Sequence, residues 1–509
     1  MKEKSVIIIG SGIAGLSAGC YGQMNGYRTH IFEMHDKPGG LCTSWQKEGY
    51  TISNNIHWIM GLGPGTKLYR IWEELGAVQG REVVYYDVVR RVEIDNGKVF
   101  TIYADIDRLE QHMKELAPED KNVIEEFIKG VRLCSRYEMP VEKAPELYSP
   151  IDKLKMMLTL FPFLRAMRKW GKVSVQEYAK RFRNPLLRDA FGTFGPPPGP
   201  GIPRGTIPVF FMQMALSSMH RKVTGYPVGG ALAFARAIER RYLDLGGEIH
   251  YNSRVSEISV EKGCAIGIRL EDGTMHRADY VISAADGHTT IFDMLDGKYI
   301  DAEIRGYYDN LPVLPGIIHV ALGVARSFKE LPYSAFVVDY PLDEPLIIAG
   351  RELNRMMVSA IHNFDPTLAP PGKTVIRLWF PSDYDYWRSL QEEPERYREE
   401  KEKIADTIVG LLNKRFPGLA EQVEMRDVAT PITYERYTGN WRGSFEGWLP
   451  TTQTIGMRMR KTLPGLENFY MAGQWVRPGG TIAFVAVSGR DIIQLICKRD
   501  KKTFVTAVP

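Results

Sequence analysis

A chain of 509 residues can form two or three domain-sized units around a large core. Its 44% hydrophobic and 25% charged residues are those of an ordinary soluble globular protein, and a net charge of +4, with Lys and Arg scattered among Asp and Glu, gives no reason to expect nucleic acid as a partner. The five cysteines (Cys20, Cys42, Cys134, Cys264, Cys497) are odd in number and form no CxxC pair, which argues against a disulfide framework or a metal site and for a reducing, cytoplasmic compartment.

The chain opens with Val6-Ile7-Ile8-Ile9, an apolar run too short for a signal peptide and suited to a strand buried on both faces. A glycine-rich turn follows at 10–15, then a helix rich in small residues to about 25, closed by Gly26, then a second strand at 29–32 ending at Glu33. Helical stretches are predicted at 106–134, 151–171 and 174–183, ahead of a proline- and glycine-rich break at 194–201. The α/β character returns after Gly229-Gly230 with a helix at 232–243, a strand at 248–251, a hairpin over 255–270 turning at Glu261-Lys262-Gly263, and a strand at 280–284. Strand-like runs at 317–322, 346–349 and 374–380 and a charged helix at 393–412 form a further layer. The chain closes with a strand at 469–472, a glycine-containing turn and a last helix. No stretch reaches the roughly 20 apolar residues that span a bilayer.

Gly10-Ser11-Gly12-Ile13-Ala14-Gly15 matches GxGxxG between a strand and a helix. The first glycine permits the tight turn, the second lets backbone approach a pyrophosphate, and the third lets helix and strand pack closely. Glu33, at the end of the next strand, stands where a carboxylate accepts from both ribose hydroxyls and repels a 2′-phosphate. Pro38-Gly39-Gly40 lets a second loop cross close to the pyrophosphate.

These motifs resemble those of the flavin-dependent phytoene desaturase and carotenoid isomerase family, within the wider amine-oxidase-like flavoproteins. Tyr226-Pro227-Val228-Gly229-Gly230 is similar to that family's step before its second nucleotide segment. Tyr434-Glu435-Arg436-Tyr437-Thr438-Gly439, and Asn468 to Gly473 followed by Pro478-Gly479-Gly480-Thr481-Ile482, resemble its closing segments. The resemblance implies FAD as cofactor, bound by Gly10, Ser11, Gly12, Ile13, Ala14, Gly15, Glu33, Met34, Gly39, Gly40 and Leu41 from the first segment. It also implies that Val255 lies beside the adenine, Gly473 and Gln474 by the ribityl-phosphate, and Thr481 and Ile482 at the flavin pyrimidine.

The implied fold class is α/β: a Rossmann-type FAD domain assembled from residues 1–90, 226–300 and 426–509, with an inserted mixed α+β substrate domain of residues 91–225 and 301–425. The implied activity is hydride transfer between flavin N5 and a carbon of an apolar isoprenoid or carotenoid-like substrate, in desaturation, saturation or isomerisation. A flavin amine oxidase releasing peroxide and a non-catalytic FAD-binding protein are the alternatives. Gly61-Leu62-Gly63-Pro64-Gly65 has proline where a helix should open, so no separate nicotinamide domain is expected.

The chain departs from the family in two places. Leu41 follows the glycine pair where many relatives carry a basic or small residue, and Ser53-Asn54-Asn55-Ile56-His57 lacks the usual Asp near the isoalloxazine. His57 is then the candidate catalytic group, exchanging a proton as the flavin takes a hydride. Its other reading, a hydrogen-bonded or flavin-packing residue, is the commoner role for a histidine. Cys42 reads as a buried inert thiol rather than a redox partner. The late aromatics (Tyr434, Tyr437, Trp441, Phe445, Trp448, Trp475) line a pocket, cage an amine or pack an interface. Residues 153–172 set Met157, Leu158, Phe161 and their apolar neighbours inside a rim of Lys153, Lys155, Arg165, Arg168, Lys169 and Lys172. That pattern is either a peripheral contact with an anionic membrane or a core helix with a basic edge.

Overall fold

The computed structural model describes residues 3–94, 97–194, 207–328 and 335–509. The parallel-sheet unit begins with Ser5–Ile9 (β1), Ile13–Met24 (α1) and Arg28–Phe32 (β2). It resumes with Gly230–Asp244 (α2), Glu248–His250 (β3) and Tyr280–Ser283 (β4), and closes with Phe469–Met471 (β5) and Ile482–Arg499 (α3). The five strands are parallel, in the order β3-β2-β1-β4-β5. Between β1 and β4 the order reverses, which opens a crevice at their carboxyl ends. The crossover from β3 to β4 is a three-stranded antiparallel sheet of Val255–Glu261, Cys264–Leu270 and Met275–Arg277.

Composition explains the layering. β1 is apolar from Val6 to Ile9 because helices cover one face, where Val6 and Ile8 are fully buried, and the antiparallel sheet covers the other, where Ile7 and Ile9 pack. Each such side chain contributes about 2 kcal/mol by leaving water. α1 is rich in small residues because it lies wedged between the sheet, α2 and α3, and its Ser17 hydroxyl donates to the Ala486 carbonyl at 2.7 Å.

A second sheet of seven strands runs Val423–Ala429, Ile317–Val324, Thr374–Pro381, Arg351–Ile361, Ala335–Ile348, Val88–Glu93 and Val99–Tyr103. All its pairings are antiparallel except that between Ala335–Ile348 and Val88–Glu93. The helix Pro394–Arg415 packs Ile404, Ile408 and Leu412 onto it. A separate helical cluster contains Ile106–Leu116, Lys121–Cys134, Pro150–Trp170 and Val209–His220.

Several elements differ from expectation. The helical stretch at 106–134 is two helices, because Pro118 cannot donate the hydrogen bond a continuous helix needs. The strand at 346–349 is the end of Ala335–Ile348, whose hairpin partner Arg351–Ile361 carries too many polar residues to stand out as a strand. Of the break at 194–201, only Phe194 lies within the described residues. All five cysteines are free. Among the described residues, no helix is long and apolar enough to cross a membrane.

Candidate active site

Fifteen of the expected site residues line one cavity of about 710 Å³: Gly10, Gly12, Ile13, Ala14, Glu33, Met34, Gly39, Gly40, Leu41, His57, Val255, Gly473, Gln474, Thr481 and Ile482. Ser11 and Gly15 stand behind its wall. Ser11 donates its backbone N–H and its hydroxyl to Glu33 Oε2, both at 2.7 Å, and the His35 N–H donates to Oε1 at 2.9 Å. A carboxylate has about four acceptor directions, so three protein donors leave one on Oε1 for a ribose hydroxyl. The loop carrying Gly39 crosses the first turn directly: the Gly39 N–H donates to the Ser11 carbonyl at 2.9 Å, and Gly12 and Gly39 form a parallel bridge. Gly39 has φ +108°, and a Cβ there would overlap the Cys42 carbonyl.

Both helix starts in this wall are open to a ligand. Gly12 caps α1 and Thr481 caps α3, and neither makes a side-chain cap bond. Their amides are available to a phosphate or another anionic group. Thr43 Oγ1, Asn55 Oδ1 and Thr481 Oγ1 are buried polar atoms with no hydrogen-bond partner, and all three residues line the cavity. An apolar ligand would leave those atoms unpaired at a cost of about 1–3 kcal/mol each, whereas a polar cofactor satisfies them.

The loop 53–57 enters from the second sheet's side. Asn54 Nδ2 donates to the Leu41 carbonyl at 3.1 Å, and the Tyr434 hydroxyl donates to Asn54 Oδ1 at 3.1 Å. Asn55 takes the left-handed conformation at φ 59°, which asparagine tolerates better than most residues. The His57 ring meets Trp379 edge-on at 3.9 Å between centroids, and its Nδ1 lies 3.4 Å from the Arg377 guanidinium. Arg377 is fully buried on the strand Thr374–Pro381, donates to the Ser53 and Ile56 carbonyls, and makes no ion pair among the described residues. A guanidinium only donates, so a hydrogen bond between these groups requires His57 Nδ1 as the acceptor, with the ring proton on Nε2.

Sequence reasoning missed Arg377, for nothing near it in the chain marks it as a site residue. It also missed two acidic groups in the cavity wall. Burial pushes the Glu446 carboxyl up to about 7. Burial also raises Asp286, to about 6, against the opposing pull of the Trp441 and Thr289 amides that donate to it. Cys42 is buried, with its thiol pushed up to about 12 by desolvation, and its Sγ lies 3.4 Å from the Ala231 carbonyl, as befits an inert thiol. The aromatics divide by role. Tyr434, Tyr437, Phe445 and Trp475 line the cavity, whereas Trp441 and Trp448 pack with Tyr308 and Trp475.

The family model for flavin-containing amine oxidoreductases matches residues 13–492. The chain belongs to that family. It is 26% identical to a neurosporene-forming phytoene desaturase of Rhodobacter capsulatus, over 96% of this chain and 93% of that protein. It is 24% identical to a chloroplastic prolycopene isomerase of Arabidopsis thaliana, over 95% of this chain and 81% of that protein. Among solved structures, its fold is similar to an oxidoreductase from Methanosarcina mazei (TM-score 0.58, 20% identity, 96% of this chain and 100% of that one). It is also similar to a putrescine oxidase bound to putrescine (TM-score 0.59, 13% identity, 98% and 99%). The protein is an FAD-dependent oxidoreductase with an α/β fold, and the glycine cradle, the open helix starts and the unpaired cavity atoms fit that cofactor.

Proposed function

We propose that this oxidoreductase acts on carbon–carbon bonds of an apolar, polyene-like isoprenoid, by desaturation, saturation or double-bond isomerisation. The observation that carries this reading is that one cavity joins the dinucleotide cradle to a wall of Trp45, Trp58, Met60, Val428 and Phe445. An apolar chain lying along those side chains excludes water from the reacting carbon. When bound, FAD supplies a hydride acceptor or donor. Gly10, Gly12, Ile13, Ala14, Gly39 and Gly40 would hold its diphosphate, and Glu33 and Val255 its adenosine end. Gly473 and Gln474 would lie by the ribityl-phosphate, Thr481 and Ile482 would face the flavin pyrimidine, and His57 and Glu446 would hold and move protons. The labour divides between the turns of the parallel sheet, which serve the cofactor, and a far wall where Val428 of the seven-stranded sheet joins Trp45, Trp58, Met60 and Phe445 against the substrate. The names of the carotenoid-processing relatives support the substrate class.

Anaerobic titration of the purified holoprotein with polyenes and with amines tests the reading. Bleaching of the flavin's visible band by polyenes is the expected result. Bleaching by amines, with peroxide formed in air, would move the assignment to amine oxidation; with no bleaching by either, product analysis of polyenes incubated with the oxidised and the dithionite-reduced holoprotein decides, and no isomerised or saturated product would make the protein non-catalytic.

Glu446 gives the activity a pH signature. With its carboxyl raised to about 7, turnover should change steeply around pH 7, and Glu446→Gln should flatten that limb. Stability carries the same sign. A carboxyl raised above its ordinary 4.5 stabilises the fold fully below pH 4.5 and loses that contribution as pH rises through about 7. Above pH 7 the Gln variant should therefore melt at a higher temperature than the wild type.

The substrate reaches the cavity from lipid in this proposal. On the helix Pro150–Trp170, Ile151, Leu154, Met157, Leu158 and Phe161 are 50–77% exposed, with Lys153, Lys155, Arg165, Arg168 and Lys169 beside them. An apolar stripe with a cationic rim complements an anionic bilayer surface. Leu158→Glu together with Phe161→Glu should reduce co-flotation with anionic vesicles at least about 10-fold and leave the flavin spectrum unchanged. Equal flotation of variant and wild type would remove this helix from the membrane contact.

A further inference from the structure

On the nucleotide sheet, away from the cavity, the register of β2 and β3 assembles a group of a different chemistry. β3 is the sheet's edge strand, and its parallel pairing sets Glu248 beside His30 and His250 beside Phe32. Side chains two apart on a strand share a face, and paired residues of parallel strands point the same way. Glu248, His30 and His250 therefore stand together on one face, while Ile31 and Ile249 turn to the other and pack into the helical layer. His30 Nδ1 lies 3.3 Å from Glu248 Oε2, and His250 Nε2 lies 3.9 Å from the same oxygen. All three ligand atoms lie within 4.8 Å of one another. The imidazoles are stacked at 5.8 Å, and Phe32 packs on His250 at 4.6 Å, which fixes that ring's plane.

We propose that His30, Glu248 and His250 form a binding site for a divalent transition-metal ion of the zinc type. Tetrahedral zinc with bonds of about 2.0–2.2 Å needs ligand atoms about 3.3–3.5 Å apart, so small side-chain rotations complete three corners. Two imidazoles and one carboxylate select zinc or its neighbours over magnesium and calcium, which take oxygen ligands. Glu248 has an exposed side chain, so water supplies the fourth corner. The spacing of cysteines and histidines along the chain predicts no metal site, because these ligands come from strands distant in sequence and meet only through sheet pairing.

The position gives the ion a consequence. β3 has only three residues, yet the His250 carbonyl accepts the Glu33 N–H at 2.9 Å and the Ser253 N–H donates to the Glu33 carbonyl at 2.8 Å. A metal bridging β2 and β3 would pin the edge strand beside the carboxylate that faces the adenosine end of the cavity. Metal binding then strengthens cofactor retention without touching the cofactor.

The test uses the full-length, untagged holoprotein, stripped with chelator and titrated with zinc chloride. Expected are one zinc per chain by calorimetry and elemental analysis, a rise in Tm of about 3 °C at saturating zinc, and slower release of FAD on dilution. Cobalt(II) should give ligand-field bands to the red of the flavin absorption. Glu248→Gln and His250→Ala, both at a solvent-facing edge, should keep the flavin spectrum and lose zinc binding at least about 10-fold. Absence of stoichiometric zinc in the wild type, or equal binding by wild type and both variants, would overturn the proposal. Should His250→Ala fail to fold, the exposed Glu248→Gln decides.

Discussion

Gly15→Ala should give a protein that emerges from purification without flavin colour. A Cβ at Gly15 would overlap the carbonyl oxygen of Gly10 and sit 3.3 Å from the Ala284 side chain. Backbone cannot rotate aside as a side chain can, so either α1 moves away from β1 or the Gly10 peptide turns. Both outcomes spoil the turn that faces the cavity, and crowding of this kind costs about 3 kcal/mol in a packed interior. The overlap falls beneath the first turn of α1, whose amides would serve the diphosphate in the proposed binding mode. Cofactor affinity should therefore fall further than stability does, by about 100-fold if most of that strain enters only on binding. The ratio of flavin to protein absorbance, with a thermal melt of the same sample, separates the two effects. A variant retaining FAD with an unchanged melt would show that the turn tolerates the methyl group and that α1 is less tightly placed than its contacts indicate.

That turn was legible in the sequence because it is local. Gly10, Gly12, Gly15 and Glu33 lie within one strand–turn–helix–strand unit, where backbone geometry requires Gly10 (φ +92°) and Gly15 (a Cβ would overlap the Gly10 carbonyl). The closing segment was legible for the same reason, since β5, the turn at Gly473 and the start of α3 form one continuous piece. The seven-stranded sheet was legible only in its buried strands. Ile317–Val324 and Thr374–Pro381 read as apolar runs, but Arg351–Ile361 carries Arg351, Glu352, Asn354 and Arg355, and its strand character comes from its partners. Least legible were groups whose importance lies in tertiary company. Glu446 titrates near neutrality because of what surrounds it, and His30 meets Glu248 only through strand pairing.

Arg377 is the extreme case, and Arg377→Met should lower turnover by about 100-fold while leaving the flavin bound. A buried cation with no carboxylate partner is costly to keep, so its contacts must repay that cost. Those contacts are the Ser53 and Ile56 carbonyls and His57 Nδ1, all on the loop that forms the cavity wall. The guanidinium spans three acceptors from one rigid fork, holding the loop in place and fixing which His57 nitrogen carries the proton. Methionine fills similar volume but leaves both carbonyls unpaired, a loss of about 1–3 kcal/mol each, partly offset because the charge is no longer buried. The nucleotide cradle lies on the other sheet, so the FAD content should hold. Without the Arg377 donor, the ring proton is no longer directed to Nε2 by the guanidinium. Single-turnover flavin reduction should slow with little change in the substrate concentration for half-saturation. Arg377→Lys keeps the charge but loses the fork, and should recover no more than about 10-fold of the lost rate. Full recovery by lysine would mean that the charge alone matters and that the geometry of loop 53–57 does not depend on Arg377. An unchanged rate in the methionine variant would return His57 to a packing role against Trp379.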